Sequence, residues 1–247
     1  MKEQRNCWSE RMKNNKPRIL FTTQLSEQKR TRLENSELLI ESEPLITFEY
    51  KLPGMWRNEV PQKADAWIFT SKKAVKAVRP VIKDFEIPKH IFAVGSKTAE
   101  KLEEIGLKVS IPEQYKATTL VAMMRELDLN KVVHFCGNLK AADLNTLLGD
   151  QVELTSVEVY KTKLTNHIIS DLDDFDALVF MSPSAVESFC HQNKVMDGIQ
   201  VFCIGPTTEE TARELGMKNC ITPEYFTIDS LMETIQQFYF EDHRSTD

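Results

Sequence analysis

The sequence predicts an α/β protein with two parallel-sheet domains, because part of the chain repeats itself about 110 residues further on. Asp65–Ser71 (DAWIFTS) recurs as Asp176–Ser182 (DALVFMS), and Ile91–Thr98 (IFAVGSKT) recurs as Val201–Thr208 (VFCIGPTT). In each copy an apolar run ends in a polar turn and leads into a helical pattern. This is the strand–helix unit of a parallel sheet. We therefore expect two Rossmann-like or flavodoxin-like domains.

Two further segments predict how the domains are joined. Pro44–Lys51 and Gln151–Tyr160 alternate apolar and polar residues, as exposed extended strands do. We expect them to pair as a two-stranded β-ladder, with linker strands at about 44–51 and 151–160, and the second domain to be inserted in the first. Domain 1 then consists of 17–46 plus 164–247, and domain 2 of 50–158.

The remaining elements are predicted in chain order. Arg18–Thr23 predicts a strand, Ser26 caps a helix that runs to about Asn35, and Leu38–Ile40 predicts a second strand. Lys131–Cys136 predicts another strand after the first repeat copy. Two more helices are expected at about 140–148 and 230–238, and the polar residues 1–16 are expected to form a disordered tail.

Composition and charge exclude several classes of function. The net charge is −6, whereas nucleic-acid binding requires a basic surface. No apolar run reaches the roughly 18 residues of a membrane-spanning helix, and the polar N-terminus lacks the apolar core of a secretory signal. The five cysteines form no C-x-x-C pair and the five histidines lack metal-ligand spacing. We therefore expect a cytoplasmic protein without disulfides, metal, nucleic acid or membrane contact.

Hydroxyl and glycine residues cluster in the turns after the predicted strands. Helix N-termini there present unpaired backbone N–H groups that bind anions, although Ser and Thr at these places are also ordinary N-caps. For any single turn, the N-cap interpretation is favoured over anion binding. The whole set lies at the strand carboxyl ends, where open α/β sheets bind ligands. The candidate substrate-binding residues are Ser71, Lys72, Gly95, Ser96, Thr98, Gly137, Ser182, Ser184, Gly205, Thr207 and Thr208.

Tyr160 is the candidate catalytic residue. It ends the second alternating segment, where the chain returns to domain 1, and the repeat contains no counterpart of it. A phenol at such a junction either donates a proton in the cleft expected between the domains or simply covers the linker. Cys136 and His134 lie in an apolar strand and are expected to be core residues without a catalytic role.

Taken together, these residues resemble the uroporphyrinogen-III synthase family over nearly the whole chain, from about Arg18 to Phe240. The resemblance depends on five short motifs, on their order and on the repeat spacing. The motifs are FTS (69–71), AVG (93–95), VYKT (159–162), FMSPSAV (180–186) and IGPTT (204–208).

The resemblance implies a fold, a reaction and a set of site residues. The family has two α/β domains joined by a β-ladder and uses no cofactor. Its substrate, the linear octacarboxylate tetrapyrrole hydroxymethylbilane, loses water and closes through a spiro-pyrrolenine to uroporphyrinogen III, with ring D inverted. The family's tyrosine, which assists loss of the hydroxyl, corresponds to Tyr160. Its glycine and hydroxyl turns correspond to Ser71, Thr98, Ser182 and Thr207–Thr208. A monomer that receives its substrate by transient hand-over from hydroxymethylbilane synthase is also implied.

Two turns depart from the family pattern. Many relatives have Thr-Arg-Pro after the first strand, where this chain has Thr22-Thr23-Gln24, and Arg before the later glycine, where it has Cys136. Anionic contacts are therefore not carried over to these two turns. Positive charge near the other turns is expected from Lys72, Lys97, Lys140 and Lys161.

Two other functions fit a pair of α/β lobes. One is a non-catalytic two-lobe sensor that binds a small molecule, which an assay for product formation distinguishes from an enzyme. The other is a nucleotide-sugar transferase. It is disfavoured because the sequence contains neither a G-x-G-x-x-G motif nor a P-loop.

Overall fold

The computed structural model describes residues 16–34, 37–113, 117–139, 144–149, 152–194 and 198–240. The strands are β1 (Arg18–Phe21), β2 (Leu39–Ser42), β3 (Ile46–Tyr50), β4 (Ala66–Phe69), β5 (His90–Ala93), β6 (Lys131–Gly137), β7 (Glu153–Leu164), β8 (Ala177–Phe180), β9 (Gln200–Cys203) and β10 (Cys220–Ile221). The α-helices are α1 (Glu27–Glu34), α2 (Lys72–Val78), α3 (Ser96–Glu103), α4 (Ala117–Arg125), α5 (Leu144–Leu148), α6 (Pro183–Gln192), α7 (Pro206–Glu214) and α8 (Ile228–Phe240). The expected disordered tail, 1–16, lies outside the described residues except for Lys16.

The chain divides into two units, each with one five-stranded sheet. Unit 1 contains the described residues up to Thr47 and from Leu164 onward, and unit 2 is Phe48–Lys163. The chain passes from unit 1 to unit 2 within β3 and returns within β7. The prediction of an α/β fold with two predominantly parallel sheets is confirmed.

In unit 1 the strand order is β2-β1-β8-β9-β10, and every neighbouring pair is parallel. The central strands β8 and β9 are buried throughout, as expected for continuous apolar runs covered on both faces. α6 and α7 cover one face, around Phe180 and Phe189, while α1 and α8 cover the other, around Phe21 and Met232. This is the 2-1-3-4-5 order of flavodoxin, in which the ligand crevice opens between the carboxyl ends of the first and third strands, here β1 and β8.

In unit 2 the strand order is β5-β4-β6-β7-β3. The first four of these strands are parallel neighbours. α2 and α3 pack on one face of the sheet with Trp67, and α4 and α5 pack on the other face with Ile68. The corresponding crevice of unit 2 therefore opens between the carboxyl ends of β4 and β6.

The two predicted linker strands are neighbours, as expected, but they do not stand apart from the sheets. β3 lies beside β7, with the N–H of Lys51 donating to the carbonyl of Val159 at 3.0 Å. The other edge of β7 pairs in parallel with β6. Alternating polarity identified both strands, but it could not show that β6 is a further partner. β7 also continues to Leu164, so Tyr160 lies inside a strand and not at its end.

The sequence repeat marks equivalent places in the two sheets. β4 and β5 occupy in unit 2 the places of β8 and β9 in unit 1, and β6 and β7 then take the places of β1 and β2. The repeated aspartate has the same task in both. Asp65 Oδ2 accepts the N–H groups of Asn130 and Lys131, both at 2.8 Å, and Asp176 Oδ2 accepts the N–H of Arg18 at 2.8 Å. Hydrogen bonds from Lys131 and Asn130 also lower the pKa of Asp65 below its ordinary value.

Candidate active site

The crevice of unit 2 gathers several of the residues predicted from the sequence. β4 ends at Phe69 and leads through Thr70 to Ser71, while β6 ends at Gly137, which lies opposite Tyr160 of β7. The helix after β4 packs on one face of the sheet and the helix after β6 packs on the other. The chain therefore diverges between these strand ends and leaves the edge of the sheet open to a ligand.

An irregularity in β7 explains why Tyr160 faces Gly137. Cys136 pairs with Glu158, but the next residue, Gly137, pairs with Tyr160, so Val159 is the extra residue of a β-bulge. Val159 and Tyr160 are consecutive and both belong to the same core cluster, which the alternating side chains of a regular strand do not allow. The bulge thus directs the phenol ring to the end of β6.

Gly137 is required by the ring of Tyr160. A Cβ at position 137 would lie 2.6 Å from Cε2 and Cζ of Tyr160 and 2.9 Å from its hydroxyl oxygen. Carbon atoms make their best contact at about 3.5–4.0 Å, so any larger residue must displace the ring. The sequence singled out Gly137 as a glycine that a ligand approaches. The structure supplies a further reason, which is the close approach of Tyr160.

The surroundings of Tyr160 keep its phenol protonated at neutral pH. The residue is 8% exposed, and burial raises its pKa above the ordinary value. A hydrogen bond with the Ser71 hydroxyl acts in the opposite direction, while Cys136 and Tyr50 add to the rise. Tyr160 can therefore donate a proton, and it adds no negative charge to the crevice.

Ser71 has the N-cap role that the sequence left open, together with an interaction that the sequence did not predict. Its Oγ accepts the N–H of Lys73 at 3.1 Å, which makes it the N-cap of α2. The same hydroxyl is the hydrogen-bond partner of Tyr160. The residue that caps the helix therefore also favours the phenolate form of Tyr160.

A histidine and a threonine meet on the other side of the same strand ends. Nε2 of His134 lies 3.1 Å from Oγ1 of Thr70, and His134 is buried, as the sequence predicted. The pair of His134 and Thr70 is not predicted from the sequence. The available signal was the polar His134 in the otherwise apolar β6, next to the strand whose end carries the FTS motif.

The other predicted residues of unit 2 differ in accessibility. Gly95 is the N-cap of α3 and provides no side-chain acceptor, and Ser96 is the first residue of that helix. Thr98 is buried, whereas Lys72, Lys97 and Lys161 are exposed. Lys140 lies outside the described residues. Cys136 is buried, with its Sγ 3.7 Å from the carbonyl of Val157, as expected for a core residue.

The predicted residues of unit 1 lie at the starts of α6 and α7. Ser182 caps α6 by accepting the N–H of Ala185 at 3.3 Å, and its Oγ lies 3.1 Å from Oγ of Ser184. Gly205 is the N-cap of α7. Thr207 is exposed, whereas Thr208 is buried. A contribution of these residues to substrate binding stays a prediction.

Neither a metal site nor a membrane-spanning helix is found in the part of the chain that the structure describes. No group of His, Cys, Asp or Glu side chains there has the arrangement of a metal site. None of the described helices has the length and apolarity needed to cross a membrane.

Comparison of the sequence with known families and proteins gives a consistent result. The family model described as HEM4, uroporphyrinogen-III synthase HemD, matches residues 28–233. A uroporphyrinogen-III synthase from Chlorobaculum parvum is 29% identical over 163 residues, which are 60% of this chain and 65% of that protein. A putative uroporphyrinogen-III synthase from Archaeoglobus fulgidus is 26% identical over 191 residues, which are 72% of this chain and 81% of that protein.

Comparison with solved structures shows the same fold. A uroporphyrinogen III synthase from Thermus thermophilus superposes with a TM-score of 0.69 at 17% identity, covering 93% of this chain and 100% of that one. The uroporphyrinogen-III synthetase of Helicobacter pylori gives a TM-score of 0.62 at 18% identity, covering 90% of this chain and 99% of that one.

Proposed function

The chain belongs to the uroporphyrinogen-III synthase family, and we propose that it catalyses the cyclisation of hydroxymethylbilane to uroporphyrinogen III with loss of water. The observation that carries the proposal is a buried, protonated phenol at the open end of a parallel sheet, in a chain whose residues 28–233 match the family. The enzyme is a lyase that joins the two ends of a linear tetrapyrrole.

Tyr160 assists the departure of the hydroxyl. Its phenol donates a proton as the C–O bond breaks, the hydroxyl leaves as water, and the pyrrole nitrogen lone pair forms the azafulvenium cation, which keeps its N–H proton. The hydrogen bond from Ser71 stabilises the phenolate for the time it exists. The phenolate recovers its proton when the closed ring loses one, so the enzyme is unchanged. General acid catalysis of this kind contributes about 10²–10⁴ to a rate.

The enzyme must also select the isomer. Hydroxymethylbilane closes unaided to the wrong isomer, in which ring D is not inverted. Attack on the substituted carbon of ring D gives the spiro-pyrrolenine. It is faster than direct closure only if the reacting ends are held in the required orientation. Orientation of this kind supplies several kcal/mol, up to about 7–11, without any further chemical group.

Backbone amides are the natural ligands for the many carboxylates of this substrate. The chain carries a net charge of −6, so long-range attraction does not hold an octacarboxylate. The helices α3 and α7 begin after glycine caps without side-chain acceptors, which leaves the N–H groups of Ser96 and Lys97 in α3 for anions. In α7 the first such group is the N–H of Thr207, because Pro206 has none. Each such contact stabilises an anion by about 0.3–1 kcal/mol at an exposed helix end.

Three further features belong to this proposal. The protein acts as a monomer in the cytoplasm. It receives the unstable bilane by transient hand-over from hydroxymethylbilane synthase, because rapid capture prevents spontaneous closure.

A coupled assay tests the proposal. Porphobilinogen and hydroxymethylbilane synthase are supplied with and without the chain, the porphyrinogens are oxidised, and the isomers are separated. We expect the type III isomer only when the chain is present. Type I alone would show that the chain is not this enzyme and would favour the non-catalytic sensor.

A further inference from the structure

Lys73 occupies an unusual place in the active-site cluster of unit 2. It lies in the first turn of α2, and its N–H donates to Oγ of Ser71, the partner of Tyr160. Its Nζ stands 3.7 Å from the centroid of the Phe48 ring. Burial lowers the pKa of its ammonium below the ordinary value, and Lys72 contributes in the same direction.

Several lysines of unit 2 have acidic partners, and Lys73 differs from these. Lys51 pairs with Glu158 at 3.0 Å, and Lys163 pairs with Glu49. Among the described residues, none of the ion pairs involves Lys73. The contact that the structure describes for its charge is the face of Phe48, an interaction weaker than a carboxylate contact. A half-buried ammonium in this condition gains from the arrival of an anion.

Phe48 connects this ammonium to the catalytic phenol. The rings of Phe48 and Tyr160 meet edge to face, with centroids 6.3 Å apart and planes at 66°. Lys73 and Tyr160 therefore contact the same ring. A ligand that receives a proton from the phenol brings its nearest anionic groups within reach of the ammonium.

We propose that Lys73 binds a carboxylate of the pyrrole ring that carries the departing hydroxyl. This inference rests on the proposed function and assigns one contact within it. One pyrrole ring is then held at two points, by a charge-assisted hydrogen bond to Lys73 and by the phenol of Tyr160. Two contacts on one ring fix its orientation for the loss of water.

Lys76 provides a matched control on the same helix. Its Nζ lies 5.0 Å from the centroid of Tyr50, so it also contacts an aromatic residue of β3. It is exposed, and it lies one turn further from Ser71. Replacing Lys76 removes a similar lysine–aromatic contact without removing a charge beside the phenol.

The experiment compares Lys73→Met, Lys73→Arg and Lys76→Met with the unaltered chain in the coupled isomer assay, at varied bilane concentrations. We expect Lys73→Met to raise KM about tenfold or more, which is the effect of losing a hydrogen bond to a charged group. Lys73→Arg retains the cation and should recover most of this loss, whereas Lys76→Met should leave KM unchanged. If Lys73→Met does not fold, Lys73→Gln replaces it in the same comparison.

Two outcomes overturn the inference, and they are distinguishable. Equal KM values for the Lys73 and Lys76 variants, with type III product from both, would exclude the Lys73 contact and leave the proposed function intact. Type I product from the unaltered chain would remove the proposed function and the Lys73 contact with it.

Discussion

The two sheets agree over four strands and then diverge, and the divergence contains the catalytic candidate. β6 and β7 of unit 2 take the places of β1 and β2 of unit 1. β2 ends at Ser42, whereas β7 continues through a bulge at Val159 to Leu164. Tyr160 lies on this extension. The shared part of the two units therefore supplies a scaffold, and the unshared part carries the phenol that we propose as the proton donor.

The hydroxyl groups at equivalent turns show the same difference. Ser182 of unit 1 caps its helix by accepting the N–H of Ala185, and its other described side-chain contact is with the neighbouring Ser184. Thr22, at the end of β1, donates to the carbonyl of Val179 at 2.8 Å. Ser71 of unit 2 caps its helix and also lowers the pKa of Tyr160. Similar turns therefore have different tasks because only one of them faces a phenol.

The largest effect is expected from Gly137→Ala, which disrupts the close approach of Tyr160 to Gly137 in unit 2. The new Cβ displaces the ring of Tyr160, so kcat should fall about 100-fold, as for loss of the general acid, and stability should fall by about 1–3 kcal/mol. Turnover and thermal unfolding measure the two effects. Gly54→Ala is the control, because nothing lies within 4 Å of its Cβ position and its φ lies outside the left-handed region. Equal activity of the two variants would show that the ring position is unimportant.

A smaller and more selective effect is expected from the paired serines. Ser71→Ala and Ser182→Ala each remove an N-cap and should each cost about 1 kcal/mol of stability. Only Ser71→Ala also removes the partner of Tyr160, so its kcat should fall further, by about tenfold. Chemical denaturation and the isomer assay separate the two effects. A loss of kcat in Ser182→Ala as large as in Ser71→Ala would remove the distinction between the units.

The smallest effect is expected from pH. Burial holds the pKa of Tyr160 above its ordinary value, so its proton is retained at neutral and mildly alkaline pH and is lost only when pH rises through the raised value. The kcat for type III formation should therefore show no alkaline decline below about pH 10. Ser71→Ala should move the decline upward, because the hydrogen bond from Ser71 lowers this pKa. At saturating bilane the titration of Lys73 does not change the measured kcat, because Lys73 acts on substrate binding. A decline centred near neutral pH would show that another group supplies the proton.

Much of the fold could be predicted because its signals are local. Ala66–Phe69 is apolar throughout and is buried throughout, and Ser71 follows it as a cap. These features are set by a few neighbouring residues and need no knowledge of the tertiary structure.

The geometry of the site could not be predicted, because it depends on pairing between distant segments. Tyr160 was identified from its place at a domain junction, yet its contact with Gly137 follows from the parallel pairing of β6 with β7 and from the bulge. Lys72, and not Lys73, is the substrate-binding candidate named from the sequence. Two adjacent lysines at the start of a helix cannot be distinguished by sequence alone. Only the packing of Phe48 separates them.

The central claim is that Tyr160 supplies chemistry that the repeated turns do not. The single-turnover rate of type III formation by Tyr160→Phe, at saturating bilane, tests it most directly because substrate capture and product release are excluded. The ring and its packing against Phe48 are retained, so binding of uroporphyrinogen III should be unchanged. We predict a rate about 100-fold below that of the unaltered chain. An unchanged rate would contradict the claim and would leave Tyr160 as an aromatic cover for the end of β6.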